Sequence, residues 1–199
     1  MKKNVNKKVL TIAETAVLMA IVLLMAFTPL GYLRVGPLSI TFLPIPVAVG
    51  AIVLGPVGGA VLGAVFGLTS FLQCFGMDAF GTTLCQINPY LTGIMCIVPR
   101  VLEGLIAAYV FRAFGGKKGT AISYTAASLA APFANTVLFV GSLLLFFGKT
   151  DYMKQYGDSL IKIIGVLVTY NALIELVVCT AVGAVVAGAL RKVHGKWER

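Results

Sequence analysis

The sequence predicts an all-α membrane protein, a bundle of six transmembrane helices with both termini in the cytoplasm, folded as one membrane domain over residues 1–199. Three observations predict it. First, 59% of the 199 residues are hydrophobic and only 12% are charged, at a mean hydropathy of +0.96; soluble domains carry roughly 25% charged residues. Second, apolar stretches close to the ~20 residues that a span needs recur along the chain, at roughly 9–29, 40–54, 56–75, 89–113, 121–147 and 159–190. Third, the basic residues sit where topology signals sit. Lys2, Lys3, Lys7, Lys8, Arg112, Lys117, Lys118, Arg191, Lys192, Lys196 and Arg199 fall in the termini or in one short loop, against Arg34, Lys149 and Lys154 in the opposite loops. Excess Lys and Arg mark the cytoplasmic side.

The elements follow in order. "MKKNVNKK" before an apolar run mimics a signal peptide. No small-x-small cleavage site follows, and the run is long enough to span, so it is expected to be a retained first helix. "TPLGYLRVGPLS" (28–39) carries two prolines and two glycines, which predicts an outer loop that is ordered but irregular. The second stretch is short and stops at Gly55-Pro56. In the third, Gly55, Gly59, Gly63 and Gly67 recur every four residues; small residues at that spacing let helix backbones approach closely, a packing role. "GMDAFGTTLCQIN" (76–88) is small or polar and reads as a second outer loop, and "GKTDYMKQYGD" (148–158), with charges and two tyrosines, as a third.

Several functions are excluded by what the chain lacks. The net charge of +9 is not gathered into a basic stripe interleaved with aromatics, so no nucleic acid partner is expected. Cys74, Cys85, Cys96 and Cys179 form no C-x-x-C pair, and the one histidine, His194, lies past the last span. No metal site, no cofactor and no hydrolytic Ser/His or Cys/His pair is expected. "GKT" at 148–150 has Leu143 where a phosphate-binding loop needs glycine, so nucleotide binding is not expected either. The chain does not read as an enzyme.

The polar residues inside the spans carry the functional signal. Arg100 lies about 11 residues in from Pro89, Asn135 about 12 from Phe147 and Asn171 about 12 from Ser159, so at ~1.5 Å per residue three helices bring them to similar depth. Glu175 follows Asn171 by one turn, and Glu103 follows Arg100 by one turn. A charge at mid-bilayer costs at least ~2.5–3.5 kcal/mol on insertion scales, so it turns inward to partners or a cavity. Two readings stand at this point. One is a buried ion pair of Arg100 with Glu103 or Glu175, with asparagines as glue between helices. The other is a pocket open to the outside, with Arg100 offered to an anionic group, Asn135, Asn171 and Glu175 around it, and Gln73, Phe75, Asn88 and Tyr90 at its mouth. On the first helix, Ala16 and Ala20 form an Ala-x-x-x-Ala step, ordinary packing or a flat docking face.

"GPLSITFLPIPVAVGAIVLGPVGGAVLGAVFGLTSF", then "INPY", "VPRVLEG" and "ASLAAPFANTVLFVGS", together resemble the substrate-binding S component of energy-coupling factor (ECF) vitamin transporters, most closely the pantothenate type. The resemblance spans nearly the whole chain. It implies an S-component-like six-helix bundle in a bacterial membrane that captures a vitamin from outside under its first outer loop. It further implies association with a transmembrane coupling subunit and two ATPases, with Ala16 and Ala20 matching the family's docking motif. Pantothenate has one carboxylate, an amide and two hydroxyls, which an arginine and two asparagines suit, guanidinium binding carboxylate as a fork. Folate, also a carboxylate, and a stand-alone proton-coupled transporter using Glu103 or Glu175 are the alternatives.

Overall fold

In a computed structural model, the backbone is described for residues 7–34, 39–115, 119–156 and 160–197, and side chains for 8–32, 40–115, 119–156 and 172–193. The chain forms eight helices and one hairpin among these residues: α1 (Lys7–Ala26), β1 (Tyr32–Arg34), β2 (Ser39–Thr41), α2 (Pro44–Val53), α3 (Gly55–Gln73), α4 (Ala79–Ile87), α5 (Pro89–Ala113), α6 (Ala121–Phe147), α7 (Asp151–Lys154) and α8 (Leu160–Trp197). Five helices are long and apolar enough to cross a membrane, α1, α3, α5, α6 and the Ala172–Val193 part of α8. The protein is a multi-pass membrane helical bundle.

Local chemistry fixes where the long helices start. Asn88 is extended, its side-chain oxygen accepts the Leu91 N–H at 3.1 Å, and Pro89 occupies the first helical position, where its missing N–H costs nothing. At α6, Thr120 and Ser123 form a reciprocal capping box, and such caps stabilise a helix by about 0.5–2 kcal/mol. The glycine repeat then sets the α3–α5 contact. A Cβ on Gly59 would lie 2.5 Å from the Gly104 carbonyl oxygen, one on Gly67 would lie 2.7 Å from Ile97 Cα, and one on Gly63 would collide with the Arg100 carbonyl. These three glycines therefore seat the backbone of Arg100 directly on α3. Gly55 does something else: at φ +82° it makes the reversal between α2 and α3, a conformation that suits glycine.

Four loop and boundary expectations are corrected. The 28–39 segment, expected to be irregular, contributes to an antiparallel hairpin pairing Tyr32 with Thr41, Leu33 with Ile40 and Arg34 with Ser39. That pairing takes Ile40 and Thr41 out of the expected 40–54 helix, and Pro44, with Pro46 behind it, starts α2 instead. What remains is ten residues, about 15 Å at 1.5 Å per residue, half a hydrocarbon core. The 76–88 segment is not a plain loop, because Asp78 caps α4 by accepting the Gly81 N–H at 2.7 Å. Finally α8 continues to Trp197, past the expected end at 190.

The short α2 is nonetheless central. Nine of its ten residues are buried, from Pro44 to Val53, and it packs on α3, α5, α6, α8 and α1. Its last carbonyls are met by Arg191, whose Nη1 donates to Ile52 O at 2.7 Å while the guanidinium lies 5.1 Å from the Phe111 ring centroid. A cation at a helix C-terminus also meets the negative end of the dipole. This end of the bundle, where α5 and α8 finish, is the basic end; the opposite one is the hairpin end. Between α2 and the hairpin, the middle of the bundle is left to polar side chains.

Candidate functional site in the bundle centre

Arg100 is 6% exposed and sits one residue after Pro99. Proline has no N–H, so the carbonyl four residues earlier loses its helical partner. That carbonyl belongs to Met95, and Arg100 Nη1 takes it at 2.9 Å. The guanidinium is flanked by two rings, 4.4 Å from the Phe139 centroid and 5.3 Å from that of Phe66, and each such contact is worth ~0.5–2 kcal/mol. Helix α5 therefore orients the guanidinium by its own kink, and α3 and α6 hold it between aromatic faces.

No carboxylate lies within ion-pair distance of Arg100 among the described residues, and its buried Nε has no hydrogen-bond partner. The acceptors nearby are equally unspent. Both oxygens of Glu103, which is fully buried, lack partners, as do Asn135 Oδ1, Glu175 Oε1, Ser128 Oγ and the Tyr32 hydroxyl. Glu175 is partly held: its Oε2 accepts the Thr41 N–H at 3.3 Å, and the Asn135 amide lies beside it. Thr41 in turn accepts the Leu43 N–H on its Oγ1 at 3.3 Å, and Cys179 Sγ donates to its carbonyl at 3.7 Å. The hairpin is thus stitched to α8 at the level of Glu175. Burial pushes the Tyr32 hydroxyl above its ordinary pKa, with the Arg100 charge pulling the other way. Buried polar groups are almost always hydrogen-bonded. The free Nε of Arg100 can donate to a further acceptor, and the oxygens around it can accept from further donors.

A family model described as "ECF transporter, substrate-specific component" matches residues 10–187. The chain belongs to this family. Curated relatives include the pantothenic acid transporter PanT of Lactococcus lactis subsp. cremoris, 29% identical over 203 residues covering 96% of this chain and 97% of that one. The pantothenate transporter PanT of Leuconostoc mesenteroides is 26% identical over 182 residues, 86% of this chain and 87% of the relative.

In this S component the sequence-derived candidates fall into two groups. Arg100, Asn135, Glu175 and Glu103 converge in the bundle centre. Asn171 is on α8 one turn before Glu175, and its side chain lies outside the described residues. The other four are placed nearer the hairpin end and make separate contacts. The Asn88 oxygen caps α5, and Gln73 Nε2 donates to Ala26 O at 2.5 Å, tying α3 to α1. Phe75 and Tyr90 are exposed. Ala16 and Ala20 are exposed on α1, in a face that also shows Ile12, Val17 and Leu24 to the surroundings. Among the described residues no group of metal-ligating side chains is present.

Sequence reasoning missed Tyr32, Thr41, Phe66 and Phe139. The two phenylalanines come from neighbouring helices and carry no local signal. The Pro99-Arg100 step does carry one, since proline inside a span always frees a carbonyl for the nearest donor.

Proposed function

We propose that this S component captures pantothenate from the outside in the chamber between α2 and the hairpin, and delivers it with an ECF coupling subunit and two ATPases. Arg100 holds the carboxylate, and Asn135, Asn171 and Glu175 bond the amide and hydroxyls. The segment 28–41 opens and closes over the ligand. The observation that carries this reading is the buried Arg100 guanidinium with an unpartnered Nε and no carboxylate in ion-pair range. The relatives' names, which concern pantothenate, support the choice of vitamin. Six helical segments cross between two faces, α2 sharing its crossing with β2, and both termini lie in the cytoplasm with the basic end. Ala16 and Ala20 lie on the face of α1 that docks the coupling subunit.

The test is equilibrium binding of pantothenate to the detergent-purified protein, by calorimetry after stripping co-purified ligand. Tight one-to-one binding is expected. Absence of heat with pantothenate, together with binding of folate or another vitamin, would move the substrate assignment and leave the family untouched.

A further inference from the structure

We infer that this site takes up one proton with each anion that it binds, because among the described side chains Glu103, Glu175 and the incoming carboxylate share a single counter-charge, Arg100. This rests on the reading that an anionic vitamin binds here.

The charge inventory of the chamber is short. Helices α2 and α3 contribute no ionisable side chain, and α6 contributes only Tyr124, towards the basic end. The hairpin brings Tyr32 and, two residues on, Arg34, whose side chain is outside the described residues; α4 brings Cys85 and its cap Asp78, towards the hairpin end. From α8 come Glu175 and Cys179, and α5 itself carries Cys96, Arg100 and Glu103 around the site. Arg112 is 12 residues from Arg100 along α5, roughly 18 Å away by helix rise. Lys162 precedes Glu175 by 13 residues on α8, roughly 20 Å by the same measure, and its side chain is outside the described residues. Among the described side chains, one cation therefore faces two carboxyl groups.

Two buried carboxyl groups sharing one site do not both stay ionised, and an unpaired buried charge costs several kcal/mol. The hydrogen bonds distribute the charge. Glu175 has the Thr41 N–H as a donor and the Asn135 amide beside it, whereas Glu103 has no donor on either oxygen. In the empty site Glu175 is the anion that balances Arg100, and Glu103 carries a proton, which makes it a donor as well as an acceptor.

A ligand carboxylate then gives Arg100 a partner of its own and leaves the Glu175 charge unopposed. Glu175 is neutralised by a proton from the external water. An O–H bond forms on its carboxylate, and the buffer supplies the proton. The loaded site is again neutral overall.

Titration of the wild-type protein with pantothenate at one pH, in buffers of low and high ionisation enthalpy, measures the stoichiometry. The slope of observed heat against buffer enthalpy should give about one proton taken up per ligand. Apparent affinity should then weaken about tenfold per pH unit as pH rises. The double variant Glu103→Gln/Glu175→Gln should bind with no slope. Wild-type binding that shows no buffer dependence overturns the inference while leaving the pantothenate assignment standing. If pantothenate gives no heat, that assignment falls and the ligand-free protein decides the inference. Infrared spectra should show the carbonyl stretch of a protonated carboxyl in wild type and lose it in Glu103→Gln. A wild-type spectrum without that band overturns the inference.

Discussion

Replacing Arg100 with alanine separates a binding role from a structural one, because the two predict opposite balances of affinity and stability. On the structural side, the side chain makes one hydrogen bond, to Met95 O, and two ring contacts, to Phe139 and Phe66. The bond is worth about 0.5–1.5 kcal/mol, and each ring contact ~0.5–2 kcal/mol. Against these stands the desolvation of a buried guanidinium without a contacting carboxylate, itself several kcal/mol. The two sides nearly cancel once Glu175, left without its counter-charge, takes up a proton, so the folded yield and thermal midpoint of Arg100→Ala should change little. Affinity has no such compensation. Removing one partner of a buried, hydrogen-bonded charge pair costs ~2–5 kcal/mol, which is about 30-fold to several-thousand-fold in Kd. Calorimetric titration with pantothenate beside a thermal melt in the same detergent reads both. Unchanged affinity with a large drop in midpoint would refute the reasoning and make Arg100 a packing residue.

Pro99→Ala restores an N–H to α5, which should compete for Met95 O. The thermal midpoint is expected to rise, since helix-interior proline costs ~3 kcal/mol, while pantothenate binding weakens by roughly twofold to tenfold as the guanidinium loses its anchor. Gly63→Ala places a methyl against the Arg100 carbonyl and should lower both stability and affinity, with an overpacking cost of ~1–3 kcal/mol visible as a fall in thermal midpoint. Arg191→Ala removes the hydrogen bonds to Ile52 O and Val53 O and should destabilise by about 1–2 kcal/mol without changing ligand affinity. At the hairpin end, burial and the Tyr152 hydroxyl push Tyr156 from 10.0 up to about 12. A group whose folded value is raised stabilises fully below its unfolded value and loses that contribution as pH rises. Stability should therefore decline between pH 10 and about 12, and Tyr156→Phe should flatten that part of a melt series.

The sequence made the long helices legible because their ends carry local chemistry. Spans expected at 89–113 and 121–147 are found as Pro89–Ala113 and Ala121–Phe147, each preceded by a capping residue, Asn88 or Thr120. The hairpin was not legible, since it pairs Tyr32 with Thr41 and depends on Thr41 meeting Glu175, 134 positions away. α4 was hidden by its composition: Gly81, Thr82 and Thr83 are weak helix formers, and only the Asp78 cap marks it. Depth counting at 1.5 Å per residue set Arg100, Asn135 and Asn171 at one level with Glu175 a turn away; Arg100, Asn135 and Glu175 do converge, and the Asn171 side chain lies outside the described residues. Such counting could not distinguish an ion pair from an open guanidinium. That difference lies in a few ångströms of side-chain placement, which spacing does not encode.

The half-length of α2 has a mechanical consequence. A bundle whose centre is filled over half its depth by a buried helix, held at its far end by Arg191, is closed at that end, while the hairpin is tied to α8 through Thr41 and Glu175 at the other. Withdrawing α2 would expose nine buried residues and break the contacts it makes with five neighbouring helices. The basic end of the bundle is therefore its closed and rigid end.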